Sequence, residues 1–323
     1  MTMSTGYLRN ASGPAQHVLG SVGAVVLTYN SADDLPACLD GLFMQRGVDA
    51  RVIVVDNASS QQSLETMEED FRTRAPEGII VDANKCTLEV LKTSRAFFLR
   101  NCENAGYSAG NNIGARLAVA AGCQAVLLVN PDVRITDPDY LAKLWAEMNA
   151  RPECLVASSR LVNLEGYDEH PLRETQFWEE LFWVRQFGPH FFRPAPYVQP
   201  PRGTEPVDAH KIHGSCQLIR ASFLEETGYL DENVFLYCEE PIMAARVRAA
   251  GGRMLVFPKL KAIHAHISST KGNASRRMLQ FIKSRLYYID TYTDYGSGKR
   301  AALHVSYRLL SFMHRIKALF GPA

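Results

Sequence analysis

The first 150 residues alternate short apolar runs with longer amphipathic or polar stretches. Four apolar runs predict buried strands, at 22–27, 51–55, 96–99 and 125–129. The stretches that separate or follow them predict helices, at 33–44, 61–74, 113–121 and 139–150. Because strands and helices alternate, the sequence predicts an α/β fold whose mostly parallel central sheet is flanked by helices.

Polar side chains follow three of the predicted strands. Residues 28–30 come after the first run, Asp56 and Asn57 after the second, and Asp132 after the fourth. Ligands of open α/β sheets bind beyond the carboxyl ends of the strands, so we expect these residues to converge on one crevice. The chain lacks G-x-G-x-x-G, G-x₄-G-K-[ST] and G-x-S-x-G motifs, which argues against dinucleotide, ATPase-loop and serine-hydrolase chemistry.

Composition narrows the class further. The chain has 46% hydrophobic and 21% charged residues and a net charge of +1, which argues against a disordered chain and against a nucleic-acid binder. Its N-terminus, MTMSTGYLRNASGPAQHVLG, lacks the pattern of a secretory leader, and its seven cysteines form no C-x-x-C pair. We therefore expect a cytoplasmic chain with reduced thiols.

Positive charge is concentrated at the C-terminus. Residues 271–323 carry ten Lys or Arg against two Asp, a net charge of +8, which leaves −7 on the other 270 residues. An anionic partner is expected, either a membrane surface or a phosphorylated substrate. The same segment has an apolar stripe at helical spacing, made of Ala302, Val305, Leu309, Phe312, Ile316 and Leu319. The stripe fits an interfacial membrane helix as well as it fits packing on the catalytic domain or on a sister subunit.

Seven segments, in chain order, resemble family 2 glycosyltransferases of the GT-A fold. They are VVLTYN (25–30), VIVVDNASS (52–60), NCENAGYSAGNNIG (101–114), LLVNPDV (127–133), HGSCQLIR (213–220), GYLDENVFLYCEE (228–240) and AIHAHISS (262–269). Within this family, these segments are most similar to those of the rhamnosyltransferase-like subgroup. The resemblance spans roughly 21–285 and implies a GT-A catalytic domain at 21–270. Residues 1–20 are rich in Gly, Ser and Ala without periodicity and are expected to be a flexible tail, and 271–323 are expected to be a basic helical extension. Within the domain, 21–140 would be the nucleotide-sugar half and 141–270 the acceptor half.

The resemblance assigns the nucleotide-sugar donor to strand ends and to a loop rich in glycine and asparagine. The residues it implies are Thr28, Tyr29, Asn30, Asp56, Asn57, Asn104, Gly106, Asn111 and Asn130. A carboxylate at Asp56 can accept a hydrogen bond from N3–H of uracil or thymine, so a UDP- or dTDP-sugar is expected. The structural alternatives are a helix N-cap at Asp56 or Ser59 and a capped strand-to-helix turn at 104–112.

A metal site is implied where the family carries its D-x-D-type motif, although the first acidic position is Asn130 in this chain. Asp132 supplies the carboxylate, and His264 is implied as a further ligand of Mg²⁺ or Mn²⁺. His266 lies two residues on, on the same side of an extended segment, and is the weaker candidate. A turn aspartate after Pro131 is the alternative for Asp132.

The acidic pair Glu239 and Glu240 is implied to supply the catalytic base, with Glu240 preferred by register. Pro241 is expected at the first position of a helix, where two preceding carboxylates would also complement the helix dipole. One base without an enzymic nucleophile implies direct displacement with inversion. We therefore expect an inverting, metal-dependent hexosyltransferase that builds a surface glycan such as an O-antigen or capsule. A catalytically silent nucleotide-sugar-binding or scaffold protein of the same fold is the alternative.

The sequence predicts less about the acceptor site. The resemblance implies a glycan or lipid-linked glycan acceptor, with rhamnose as a donor sugar suggested by the subgroup. The charge and the apolar stripe of 271–323 fit a peripheral position on the inner face of the cell membrane. The aromatic residues of 165–205 fit an acceptor platform, a lid, a homodimer surface or a core helix; they are Phe177, Trp178, Phe182, Trp183, Phe187, Phe191, Phe192 and Tyr197. Arg276, Arg277, Lys283 and Arg285 are candidates to meet the donor diphosphate.

Overall fold

The computed structural model describes residues 20–169, 172–183, 203–266 and 273–320. Residues Phe187, Phe191, Phe192 and Tyr197, and the predicted tail at 1–19, lie outside these ranges. The described residues contain ten strands, β1 (Ser21–Thr28), β2 (Asp49–Asn57), β3 (Ile79–Asp82), β4 (Ala96–Asn101), β5 (Ala125–Val129), β6 (Val133–Arg134), β7 (Cys154–Asn163), β8 (Val207–Asp208), β9 (Cys216–Arg220) and β10 (Arg253–His264).

Ten α-helices accompany these strands in the described part of the chain. They are α1 (Leu35–Phe43), α2 (Gln61–Arg74), α3 (Leu88–Leu91), α4 (Tyr107–Ala120), α5 (Tyr140–Asn149), α6 (Phe177–Leu181), α7 (Ala221–Thr227), α8 (Glu239–Ala249), α9 (Ala274–Tyr292) and α10 (Ser297–Phe320). None of the described helices is both long and apolar enough to cross a bilayer.

The strands form one mixed sheet in the order β3-β4-β2-β1-β5-β9-β7-β10-β6, with β8 paired to β10. The first five strands run parallel, so their carboxyl ends share one edge. Strand β9 then runs antiparallel to both of its neighbours, and β10 runs parallel to β7. The predicted α/β class with a mostly parallel sheet is confirmed.

Apolar side chains from both faces of the sheet form the core. One cluster packs β1, β2 and β5 against α1, α2 and α5, and the opposite cluster packs the same strands against α4, α7 and α8. A third cluster joins the loop before α8, and α8 itself, to the C-terminal hairpin of α9 and α10. The C-terminal helices are therefore anchored next to the start of α8.

Helix α4 begins six residues before the predicted start at 113. Its first two turns, YSAGNN, carry no apolar periodicity, because they approach β1 through glycine rather than through large side chains. A Cβ at Gly110 would lie 2.5 Å from the Leu27 side chain, and one at Gly114 would lie 2.5 Å from Val25. Strand β3 was not predicted from the sequence. It is a four-residue edge strand whose residues are all half-buried, so buried and exposed positions do not alternate along it.

Candidate active site

Two buried polar residues meet at the carboxyl ends of β1 and β2. Thr28 pairs with Asp56 in the parallel register, and both are almost fully buried. One carboxylate oxygen of Asp56, Oδ2, accepts a hydrogen bond from the Ser59 amide at 3.2 Å, while Oδ1 is buried without a partner. Burial raises the pKa of Asp56, and the hydrogen bonds from Ser59 only partly oppose it. Oδ1 is thus an acceptor held ready for a donor group.

Asn30 and Tyr29 continue this edge outside the core. Asn30 has a positive φ of 53°, which asparagine tolerates better than most residues. Its amide donates to Ser59 Oγ at 2.8 Å, and its Oδ1 accepts from the Ser60 amide at 2.9 Å, so Asn30 ties the β1 loop to the start of α2. The Tyr29 side chain is exposed.

A network of amides links the end of β2 to the loop before α4. Asn57 Nδ2 donates to Asn104 Oδ1 at 2.9 Å and to the Gly106 carbonyl at 3.2 Å. Asn101 Nδ2 donates to Asn57 Oδ1 at 3.0 Å, and the Gly106 amide donates to Asn104 Oδ1 at 3.1 Å. Asn57 and Asn104 therefore hold one another and the loop in place.

Gly106 allows a close approach between this loop and the chain before α8. Its φ is 104°, and a Cβ there would lie 2.2 Å from the Phe235 carbonyl oxygen, so only glycine fits. The Tyr107 amide donates to the same carbonyl at 2.8 Å. Asn111, on the next turn of α4, is buried and donates to the Tyr107 carbonyl at 3.0 Å.

Strand pairing brings the predicted metal ligands together across a long stretch of sequence. His264 pairs with Val133 where β10 runs antiparallel to β6, and the Ala265 amide donates to the Asp132 carbonyl at 2.8 Å. Asp132 Oδ2 then lies 3.4 Å from His264 Nε2 and 3.2 Å from His266 Nδ1. The ligand atoms of all three residues lie within 4.8 Å of one another, so His266 joins the cluster as fully as His264 does.

Glu169 fixes the orientation of His264. Its Oε2 lies 2.7 Å from His264 Nδ1, which turns the opposite nitrogen, Nε2, toward Asp132. Burial lowers the pKa of His264, but the hydrogen bonds and charges of Asp132 and Glu169 outweigh it, and the net change is upward. Burial likewise raises the pKa of Asp132, and His264 and His266 reverse the direction, so the net change is downward.

The cluster fits a divalent cation by the chemistry of its donors. Asp132 Oδ1 is buried and has no hydrogen-bond partner, so one carboxylate oxygen faces the site without competition. Carboxylate oxygens are ligands of both Mg²⁺ and Mn²⁺, and the two imidazoles are less suited to Mg²⁺, which prefers oxygen ligands and retained water. Asp132, His264 and His266 are the residues that could hold such an ion.

The acidic pair lies at the start of α8. Tyr237 and Cys238 both have positive φ, 71° and 70°, and this sharp turn aims the two carboxylates inward. The helix begins at Glu239, so Pro241 is its third residue, and the expectation that Pro241 would be the first is wrong by one half-turn. Two non-glycine residues in the left-handed region are a local strain that apolar spacing does not encode.

The two glutamates differ in their surroundings. Glu240 Oε1 lies 3.4 Å from the Gly214 amide, which donates toward it. Glu239 Oε1 is buried without a hydrogen-bond partner. Burial, reinforced by the neighbouring Glu240 charge, raises the pKa of Glu239 well above its usual range. Burial therefore disfavours the charged form of Glu239.

A cavity of about 650 Å³ joins the acidic pair to the metal-ligating cluster. Of the predicted site residues, it is lined by Asn130, Asp132, Glu239, Glu240 and His264, and His266 lines it as well. The other predicted residues lie further along the carboxyl edge of the parallel strands and are not among the described residues that line it; they are Thr28, Tyr29, Asn30, Asp56, Asn57, Asn104, Gly106 and Asn111. Tyr107 connects the two areas, because its hydroxyl donates to the Gly214 carbonyl at 2.6 Å.

This architecture has counterparts among known proteins. A profile described as glycosyl transferase family 2 matches residues 24–228. The chain belongs to glycosyl transferase family 2. The chain is 27% identical over 234 residues to the low-salt glycan biosynthesis hexosyltransferase Agl10 of Haloferax volcanii. The match covers 72% of this chain but only 63% of the length of that curated relative.

Solved glycosyltransferases share the fold of this family 2 chain. The mannosyltransferase PcManGT from Pyrobaculum calidifontis, in complex with GDP-Man and Mn²⁺, superposes with a TM-score of 0.54 at 16% identity, over 96% of this chain and 79% of the other. S. aureus TarS in complex with UDP-GlcNAc superposes with a TM-score of 0.52 at 14% identity, over 88% and 70% of the two chains. At these identities the likeness establishes the GT-A fold.

The family 2 cavity has further walls that sequence analysis did not assign. Lys211 lines it with 9% of its surface exposed, and burial lowers the pKa of this lysine. Arg285 of α9 and Glu180 of α6 also line it, and Arg285 Nε donates to Glu180 Oε2 at 3.0 Å. Tyr307 of α10 donates to the same oxygen at 3.0 Å. The guanidinium of Arg285 is thus engaged by a buried carboxylate, so the suggested contact with the donor diphosphate is not supported for Arg285.

Two of the four described aromatic residues around α6 turn toward solvent. Trp178 and Phe182 are exposed, and their rings stack with centroids 6.0 Å apart. Trp183 lines the cavity, and Phe177 packs edge-on against Tyr295 at 5.7 Å. The helix at 177–181 therefore contributes a cavity wall and a separate exposed aromatic pair. Lys211 and Glu180 gave no signal in the sequence, because each reaches the cavity only through the folding of distant segments.

Proposed function

We propose that this chain transfers a sugar from a nucleoside-diphosphate donor to a glycan hydroxyl, with inversion and with a divalent cation. The observation that carries the proposal is the cavity in which Asp132, His264 and His266 face Glu239 and Glu240. An inverting transferase needs a base for the acceptor on one side and charge stabilisation for the leaving diphosphate on the other. Both requirements are met by residues on this one cavity.

Glu240 is proposed as the base. A base must be ionised before it accepts a proton, and burial next to a second carboxylate raises the pKa of Glu239 and so disfavours its charged form. The Gly214 amide and the positive end of the α8 dipole favour a negative charge on Glu240. Glu240 would take the proton of the acceptor hydroxyl as its oxygen attacks the anomeric carbon, and the bond to the diphosphate breaks on the opposite face.

Asp132, His264 and His266 would hold the cation. When bound there, Mn²⁺ supplies positive charge that stabilises the developing negative charge of the leaving diphosphate. Glu169 keeps the His264 ring turned toward Asp132, so the ligand set is oriented before any ion arrives. The complex of PcManGT with GDP-Man and Mn²⁺ supports a manganese-dependent reaction for this chain.

Asp56 is proposed to read the nucleotide base. Its Oδ1 is buried and unpartnered at the carboxyl end of β2, where N3–H of a uracil or thymine could donate to it. TarS is described with UDP-GlcNAc, which supports a UDP donor, and dTDP would offer the same N3–H group. Rhamnose remains a prediction from the motifs. The division into a nucleotide half at 21–140 and an acceptor half at 141–270 is part of this proposal.

The acceptor is proposed to be a growing glycan, free or linked to a lipid. Beyond the glutamates, the cavity is walled by aromatic and aliphatic side chains of α9 and α10 and of the chain after α6, among them Trp183, Phe281 and Leu310. Such walls stack on sugar rings and exclude water. The similarity to Agl10, a hexosyltransferase of low-salt glycan biosynthesis, supports this acceptor class.

Donor hydrolysis tests the proposal. The purified protein is incubated with UDP-, dTDP- and GDP-sugars, with Mn²⁺, Mg²⁺ or EDTA, and released nucleoside diphosphate is quantified. We expect release from one UDP- or dTDP-sugar, faster with Mn²⁺ than with Mg²⁺ and absent with EDTA. Nucleotide binding without release, in the presence of a range of glycan acceptors, would instead support the catalytically silent binding protein. Absence of any nucleotide affinity would overturn the donor site at Asp56.

A further inference from the structure

Helix α10 has two apolar faces, and only one of them is covered. Leu303, Tyr307 and Leu310 are buried in the cluster shared with α8 and α9. Val305, Leu309, Phe312 and Ile316 lie on the opposite face with 57, 59, 63 and 40% of their surfaces exposed. Four of the six residues of the stripe noted in the sequence therefore lie on the outer face of the helix, and packing against the catalytic domain does not account for them.

A basic groove runs beside this outer face. It has a volume of about 560 Å³ and lies between α9 and α10, with Arg276, Lys283, Arg308 and Arg315 in its lining. All four are exposed, and none has a carboxylate within 4 Å in the part of the chain that the structure describes. Among the residues that the structure describes, no acidic residue lines the groove. Four like charges gathered without counter-charges need an anionic partner.

The cations and the apolar face form one continuous surface. Arg308 and Arg315 are seven residues apart and stand on the same flank of α10, each immediately before an exposed apolar residue, Leu309 and Ile316. An apolar face bordered by arginine or lysine is the pattern of helices that lie in the plane of a bilayer. The apolar side chains enter the headgroup region while the cations meet lipid phosphates.

We propose that this surface, Val305, Leu309, Phe312 and Ile316 with the four groove cations, docks on a membrane that contains anionic phospholipids. A second copy of the chain is disfavoured as the occupant, because a two-fold interface would bring the same cationic grooves face to face. Tyr307 lines both the groove and the catalytic cavity, so the docked face is next to the proposed acceptor site. The docking itself does not depend on the proposed activity, because it needs neither donor nor acceptor.

Vesicle flotation tests the docking. The full chain is mixed with vesicles of phosphatidylcholine alone or of phosphatidylcholine with phosphatidylglycerol, at low and at high salt. We expect binding to the anionic vesicles only, weakening as salt rises, because screening shortens the reach of surface charge. Equal binding to both vesicle types, or none to either at low salt, would overturn the proposal.

Paired variants assign the binding to this surface. Arg308→Gln with Arg315→Gln is expected to weaken partitioning on the order of 30-fold, at about fivefold for each cation. Leu309→Gln with Phe312→Gln is expected to weaken it about tenfold or more. Lys92→Gln with Arg248→Gln removes the same charge from exposed positions elsewhere and should leave binding unchanged. If sedimentation instead shows a dimer that Phe312→Gln dissociates, this face is an interface between copies and the membrane proposal is wrong.

Discussion

The two walls of the catalytic cavity hold carboxylates in opposite electrostatic settings. On one wall, two histidines surround Asp132 and keep its pKa below the usual range. On the other wall, Glu239 is buried beside a second carboxylate, and its pKa is raised. Groups of the same type whose surroundings separate their pKa values take different roles in one reaction.

The comparison shows which charged groups are present in the cavity before substrate binds. The wall of Asp132 is anionic and already oriented by Glu169, so it can receive a cation with little rearrangement. On the other wall, burial disfavours a charge on Glu239, and the Gly214 amide favours a negative charge on Glu240. That charge is the one the acceptor hydroxyl must meet. Substitutions on each wall should therefore fail in different assays, which gives ways to test the comparison.

The largest effect is expected from Asp132→Asn, which removes the carboxylate of the metal-ligating cluster. We expect nucleoside diphosphate release to fall on the order of 10³-fold or more, since a cation at a leaving group contributes several kcal/mol. Manganese binding, followed by electron paramagnetic resonance, should be lost in parallel. Asp33→Asn, at an exposed position elsewhere in the chain, is the matched control. Full activity of Asp132→Asn with Mn²⁺ would remove the cluster from the reaction.

Glu240→Gln is expected to lower kcat by about 10²- to 10³-fold, because a general base contributes effects of that size. Manganese affinity should stay unchanged, in contrast to Asp132→Asn. Glu239→Gln is the matched comparison and should keep most of the activity, because an amide resembles the protonated carboxyl. If the two variants exchange these results, Glu239 is the base and the preference for Glu240 is wrong.

A smaller effect is expected from Glu169→Gln, which weakens the contact that orients the His264 ring. Losing such an orienting carboxylate commonly costs about 10- to 100-fold in metal affinity. We expect that loss in a manganese titration, with activity restored at saturating Mn²⁺. Glu165→Gln, exposed on the same turn, should titrate like the parent protein. An unchanged manganese affinity in Glu169→Gln would show that the 2.7 Å contact does not position the ligand.

The strands and helices of the first 150 residues could largely be predicted from the sequence. The residues of the cavity could be predicted only in part. The run at 125–129 and the helix at 61–74 match the observed β5 and α2 residue for residue, because buried strands and amphipathic helices leave local periodic signals. Asp132 and His264 were singled out by resemblance to a family. Their closeness depends on the pairing of β6 with β10, more than 100 residues apart in sequence, which no local pattern encodes.

Residues that loops bring to the cavity could not be predicted from a local sequence pattern. Glu169 arrives because the chain turns back after β7 and its amide bonds the Leu161 carbonyl at 2.8 Å. His266 was ranked below His264, since spacing alone could not show that both rings flank Asp132. The start of α8 was misplaced because Tyr237 and Cys238 adopt positive φ, a conformation that their residue types do not favour.

The smallest expected effect is on the free energy of unfolding. It distinguishes the two walls of the cavity in the absence of substrate. Burial raises the pKa of Glu239 to about 8, so the folded state holds this proton more tightly than the unfolded state does. The free energy of unfolding should therefore fall as pH rises from about 4.5 to about 8. Glu239→Gln should remove this slope and raise stability at pH 8 by roughly 1 to 2 kcal/mol, less than the full shift because the cavity admits water. Urea unfolding in EDTA at several pH values measures it, with exposed Glu226→Gln as the control. A slope that persists in Glu239→Gln would mean that other groups produce it, and the assignment of the charge to Glu240 would lose this support.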